Sequence, residues 1–328
     1  MDTTDEPEFV FDNDYIQHVD IAMDYADSGE CIFSDNEGNL QGSIHLITES
    51  HTSKTLSGSV KKAIQTSSRS VCRLYVLYKS DCNKGIRSFG TAFFVSESLL
   101  MTAQHCIKPS HTIDGVVYFL KSTYIDLSCC SRDSQFEIDD SSLIKKVQIV
   151  DRSNFEKDIQ QLKMPGKDVP WKTSNDFAFL ELDQRNLTTP FIPVETTLEG
   201  NQCYVIGYPG TISIEKFKKD YCRDLDDTKS NQLWGKVQRE MGYFECKIAS
   251  QGTFQVKTGD YLYTHNCPTL CGTSGAPVVN ENGKLIGIHV GGDYALHNNF
   301  WITISNQHLK SALISMKVCS DQSFVSLQ

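Results

Sequence analysis

Three segments carry side chains that can do chemistry together. They are Leu99-Leu100-Met101-Thr102-Ala103-Gln104-His105-Cys106, Asn175-Asp176-Phe177-Ala178-Phe179-Leu180 and Cys271-Gly272-Thr273-Ser274-Gly275-Ala276-Pro277. Each has an innocent reading alone: a structural histidine, a turn aspartate, a tight glycine loop. In the order His, Asp, Ser they meet a specific requirement. A serine hydroxyl is a poor nucleophile until an imidazole takes its proton. The imidazole needs a carboxylate to fix its tautomer and stabilise its charged form. The oxyanion that follows needs two backbone N–H donors, which a glycine-rich turn can aim inward. Here those donors are the N–H groups of Gly272 and Ser274.

The elements that must position these residues read as strands. From about residue 70 onward, short β-branched and aromatic runs alternate with Gly, Asn, Asp and Ser, as in Val71–Tyr78, Thr91–Val95, Gly115–Leu120, Cys203–Gly207 and Lys284–Ile288. Asn282-Gly283 between two apolar runs predicts a hairpin turn. Leu309, Ala312, Leu313 and Met316 have helical spacing and predict a closing helix near 306–317. Residues 152–172 and 212–240 are polar and read as long surface insertions. Regular short strands ending in one helix indicate an all-β barrel or sandwich.

The Thr-Ala-x-His-Cys and Gly-x-Ser-Gly-x-Pro elements, with Asp176 before its apolar strand, resemble the trypsin-like (chymotrypsin-fold) peptidases. The resemblance covers residues 70–317 and implies two six-stranded antiparallel β-barrels. It divides the chain into an acidic N-terminal extension, 1–66, and a peptidase domain, 67–328. Within that domain the first barrel spans about 67–185, the second about 186–305, and the helix follows. It implies a serine endopeptidase in which His105 is the general base, Asp176 orients it, and Ser274 is the nucleophile. Two departures set the chain apart from secreted digestive members. Gly90 stands where those enzymes place the disulfide partner of the cysteine after the histidine, and no Ile-Val-Gly-Gly-like activation sequence occurs.

Within the fold the chain looks closest to glutamyl endopeptidases and picornavirus main proteases, through Gly283-Lys284-Leu285-Ile286-Gly287-Ile288-His289-Val290-Gly291-Gly292. Gly207-Tyr208-Pro209-Gly210 also looks like the former group. Those groups line the first specificity pocket with a threonine five residues before the nucleophile and a histidine about fifteen after it. Thr269 and His289 stand at those positions, so Thr269, His289, Val290 and Gly291 are the expected substrate-binding residues. A hydroxyl and an imidazole N–H can both donate to the end of a Glu or Gln side chain. Protonated His289 would favour Glu, and neutral His289 held by a neighbouring acceptor would favour Gln. Pro268 stands where a trypsin places its acidic pocket base, which argues against cleavage after Lys or Arg. Two alternatives stay open: a catalytically silent barrel that binds peptides, and an apolar pocket in which His289 is structural.

Composition frames these expectations. The chain has 328 residues, 39 % of them hydrophobic, and a net charge of −10. Residues 1–50 hold 13 acids and no Lys or Arg, whereas the remainder carries 28 acids against 31 bases. The negative charge is therefore a leader, read as a solvated arm. Nothing in the body suggests nucleic acid, and no signal peptide or membrane-spanning run is legible, so a cytoplasmic location is expected. The 12 cysteines fall below disulfide-scaffold density and read as buried thiols. His265, Cys267 and Cys271 lie close in sequence, but a fourth metal ligand is not identifiable; no metal or cofactor is expected. Leu40-Gln41-Gly42-Ser43 and the terminal Leu327-Gln328 resemble Gln-directed cleavage sites, so self-processing near Gln41 is a further expectation.

Overall fold

The computed structural model describes residues 16–17, 32, 34, 39–47, 56–128, 144–152, 159–164, 167–172, 175–182, 190–195, 197–210, 212–241, 246–258, 262–293 and 298–320. Three elements precede the region of regular strand spacing: β1 (Ile16–Gln17), β2 (Ser43–Ile47) and helix α1 (Gly58–Ser68). The apolar runs then form β3 (Val71–Ser80), β4 (Gly85–Phe94), β5 (Leu99–Thr102), β6 (Ser110–Ile113), β7 (Val116–Asp126) and β8 (Ile144–Arg152). A paired hairpin of β9 (Ile159–Met164) and β10 (Lys167–Lys172) follows, then β11 (Ala178–Leu182). Strands β4, β3, β7, β8, β11 and β5 pair in that order, and β5 returns to β4 with Ala92 opposite Thr102. Six antiparallel strands thus close a barrel and leave none of its own edges unpaired.

The second barrel repeats the closure. It uses β12 (Gln202–Gly207), then, after helices α2 (Ile214–Tyr221) and α3 (Asp227–Glu240), β13 (Lys247–Thr258), β14 (Leu262–His265), β15 (Pro277–Val279), β16 (Leu285–Asp293) and β17 (Asn298–Thr303). The order is β12-β15-β16-β17-β14-β13, and β13 returns to β12 with Gly207 opposite Ile248. One core runs through both barrels, from Phe93, Phe94 and Phe179 to Val279, Ile288 and Phe300. The expected closing helix is α4 (Gln307–Ser315), capped by the Asn306 side chain, which accepts the N–H groups of His308 and Leu309. Its Leu309 and Leu313 enter the shared core. These are the two six-stranded barrels of the chymotrypsin fold.

Two regions differ from the sequence reading. Residues 212–240, read as a polar surface insertion, form a helical pair with its own apolar cluster. Phe217 and Tyr221 of α2, Leu233 and Val237 of α3, and Met241 pack against Ile248 and Leu270. The i, i+4 spacing of these few apolar residues is diluted by surrounding charges, which hid the helical period. The Ser213 and Asp226 side chains cap the two helices. Part of the acidic leader is also built into the fold: β2 adds to β13, with Ser43 opposite Gln251, and Ile32 and Ile44 join the α2–α3 cluster.

Candidate active site

Strands β5 and β11 are neighbours, with Ala178 opposite Thr102. The chain leaves β5 into a single 3-10 turn, Gln104–Ile107, while Asp176 lies two residues before β11. The register therefore puts His105 and Asp176 at one end of the barrel. The carboxylate holds the histidine at two points: Oδ1 accepts the His105 backbone N–H at 2.9 Å, and Oδ2 pairs with Nδ1 at 2.6 Å. With Nδ1–H donated to a carboxylate, Nε2 is left as the basic nitrogen. Burial lowers the basicity of His105, but the facing Asp176 charge outweighs it and holds the imidazole well above its usual pKa. A base oriented in this way can take a proton from a hydroxyl.

The Ser274 loop is shaped by where its carbonyls go. Thr91 Oγ1 donates to Gly272 O at 2.9 Å, and the Thr91 N–H donates to Ser274 O at 3.0 Å. Gly210 N–H donates to Cys271 O at 2.6 Å, Thr273 N–H to Leu270 O at 3.0 Å, and Ala276 N–H to Thr273 O at 2.9 Å. These contacts go with a left-handed backbone at Gly272, whose φ is +98°. A Cβ there would lie 2.7 Å from Gly210 N and 2.8 Å from Tyr208 O, so glycine is required for conformation and for space. Gly275, at φ +86°, packs so closely on Thr91 O and Thr102 Oγ1 that it too admits no side chain. That contact seats the Ser274 turn against the end of β5, three residues before His105. The Cys106 thiol adds a donor to Ser274 O at 3.6 Å, and Gly90 leaves room for its Sγ.

The expected specificity residues flank the same turn. His289 N–H donates to Ala276 O at 2.8 Å, and Gly275 N–H donates to His289 O at 2.9 Å. Directly after His289, β16 slips register at Val290, and Gly291 resumes pairing opposite Phe300 at φ +138°. Such a bulge re-aims the side chains beside it. Thr269 is fully buried, and its hydroxyl has no hydrogen-bond partner among the described residues. His289 is also fully buried, with Nδ1 3.1 Å from Nε2 of His265. His265 Nδ1 in turn accepts the Cys267 N–H at 3.1 Å.

Two residues at this site lie outside the sequence expectations. Thr91 ties the first barrel to the Ser274 loop through both its backbone and its hydroxyl, which also accepts the Tyr208 N–H at 3.1 Å. Nothing in a β-branched residue within an apolar run signals that role. His265 appears in the sequence only as a possible metal ligand beside Cys267 and Cys271. Instead both its ring nitrogens are engaged, and no group of three His, Cys, Asp or Glu suited to a metal occurs among the described residues. Among the described residues no helix is long and apolar enough to cross a membrane.

Comparison with known families matches residues 90–288 to the trypsin-like peptidase domain. Among solved structures, a serine endoprotease from Yersinia pestis is similar at 15 % identity over 81 % of this chain and 69 % of that one, with a TM-score of 0.43. The Rv3671c protease in its inactive form is similar at 15 % identity over 77 % of this chain and 92 % of that one, with a TM-score of 0.41. No curated protein matches.

Proposed function

The chain belongs to the trypsin-like peptidase family, and from that premise we propose that it is a serine endopeptidase that cleaves polypeptides after Glu or Gln. The observation that carries this reading is the two-point hold of Asp176 on His105, beside a Ser274 turn whose Cys271, Gly272 and Ser274 carbonyls accept hydrogen bonds from Gly210 and Thr91. Ser274 Oγ attacks the scissile carbonyl carbon while its proton passes to His105 Nε2. Asp176 keeps Nδ1–H oriented and stabilises the imidazolium. The developing oxyanion takes hydrogen bonds from the Gly272 and Ser274 N–H groups. The imidazolium then protonates the leaving amine, and water, deprotonated by His105, releases the acyl group from Ser274.

The Glu or Gln preference is supported by the buried Thr269 hydroxyl and by His289, whose backbone pairs with Gly275 and Ala276 immediately after the nucleophile. A site with buried polar groups rejects side chains that leave those groups unpaired. An active-site fluorophosphonate tests the catalytic reading. The full chain should be labelled at one serine, with labelling abolished in Ser274→Ala and slowed in Asp176→Asn. An unlabelled wild-type chain would instead favour a silent barrel that presents its groove to a peptide.

A further inference from the structure

Arg73 stands opposite Thr91 across the β3–β4 pair, and Phe89 is its diagonal neighbour on the same face. That face turns toward the second barrel. Thr91 accepts the Tyr208 N–H at 3.1 Å, and Arg73 takes the next group along, its Nη2 donating to Pro209 O at 3.2 Å. The guanidinium also lies over two rings, with Cζ 5.8 Å from the Phe89 centroid and 5.2 Å from that of Tyr208. A planar charged fork can stack on aromatic faces and still donate in its own plane, which an ammonium cannot. The Tyr208 ring is fixed from further points of the molecule. Its hydroxyl donates to Ser128 O at 2.5 Å, and Lys247 Nζ lies 5.3 Å from the ring while donating to Ser68 O at 2.6 Å. Asp126, buried and opposite Arg73 on β7, accepts the Ser128 N–H at 2.8 Å.

The segment held in this way holds the Ser274 turn in its place. Gly210 lies flat on the Phe89 ring, with no room for a Cβ, and its N–H donates to Cys271 O at 2.6 Å. Cys271 O and the Gly272 N–H belong to one peptide group, which is planar and trans, so the two point in opposite directions. Drawing the carbonyl to Gly210 therefore aims the Gly272 N–H the other way. We propose that Arg73 is a positioning residue for oxyanion stabilisation: by holding Pro209 and the Phe89 ring it fixes Gly210, and through Gly210 the direction of the Gly272 N–H. The inference rests on the serine endopeptidase reading with Gly272 as an oxyanion donor. Without the guanidinium, Pro209 O loses the Arg73 donor and both rings lose the cation over them. The peptide between Cys271 and Gly272 is then free to turn its N–H out of line.

The direct test needs no turnover. Cys271-Gly272 is the single Cys-Gly step in the chain, so the full-length Ser274→Ala chain with 13C-carbonyl cysteine and 15N-glycine gives one carbonyl-coupled amide signal, that of Gly272. Arg73→Met should move or broaden this signal. Gly115→Ala should not, because it strains a turn at φ +77° where a Cβ meets nothing. An unmoved Gly272 signal in folded Arg73→Met overturns the proposal, as does an equal change in Gly115→Ala. The functional readout, in chains that keep Ser274, is the split of kcat from KM. Folded Arg73→Met should lose about 10–100-fold in kcat at unchanged KM, since an oxyanion donor acts in the transition state alone. Arg73→Lys, a cation without the planar fork, should recover only part of that loss. An unchanged kcat in Arg73→Met, or a loss confined to KM, overturns the positioning role. Absence of cleavage by the wild type would instead overturn the endopeptidase reading, and the amide signal would still decide whether Arg73 holds Gly272.

Discussion

At the scale of single residues, the pair of His105 and Asp176 makes a pH statement. The imidazole must be neutral to accept a proton, and its pKa lies above the ordinary 6.5. Activity of the free enzyme, read as kcat/KM, should therefore fall as pH drops through a midpoint above 6.5. Asp176→Asn removes the charge that raises this pKa, so the midpoint should move down while kcat falls by about 10,000-fold. An unmoved midpoint in that variant would separate Asp176 from the base. The pairing of His105 with Asp176 was legible because each stands in a distinctive local setting at the end of an apolar strand run. The contact of His265 with His289 was not legible, since the two lie 24 residues apart and only the β14–β17–β16 sheet order brings them together.

At the scale of elements, the Ser274 turn depends on a strand of the other barrel. The Thr91 hydroxyl both donates to Gly272 O and accepts from Tyr208 N–H. Thr91→Val keeps the shape but leaves two buried groups unsatisfied, which costs about 2–4 kcal/mol in total. Urea unfolding should show that loss. Turnover in the folded variant should drop by about 100-fold if the Gly272 peptide moves, as for the loss of one oxyanion donor. Full activity in the folded variant would show that this hydroxyl does not hold the turn. The α2–α3 pair makes a second case. Phe217 is fully buried and stacks on Tyr221 at a centroid distance of 5.4 Å. Phe217→Ala should cost about 3–5 kcal/mol in the same unfolding measurement; a cost near zero would contradict a packed helical pair. The strands were readable as short β-branched and aromatic runs bounded by Gly, Asn, Asp and Ser. The helices were not, because only a few positions of each face inward.

At the scale of the whole molecule, the acidic leader separates into charge and structure. Residues 1–50 carry 13 acids, yet Ile32, Ile44 and Ile47 are buried and β2 pairs along β13. Gly42 sits so close to Pro268 that a Cβ there would lie 2.9 Å from its Cδ, beside the segment that leads to Thr269. Deleting residues 1–56 should therefore cost at least about 4 kcal/mol of stability, as loss of two or more buried isoleucines implies. A truncated chain as stable as the full one would make the leader dispensable. The same pairing bears on self-processing. Cleavage at Gln41 needs an extended segment, and Ser43 is held opposite Gln251. Trimming of the folded chain should be much slower than cleavage of the same sequence as a free peptide; equal rates would show that β2 does not protect the bond. The most direct test of the central claim is digestion of a randomised peptide library by the full-length chain, with Ser274→Ala as the blank. Cleavage after Gln or Glu that disappears in Ser274→Ala and in His289→Ala is the predicted result. Cleavage indifferent to Ser274, or none at all, would contradict a serine endopeptidase built on this site.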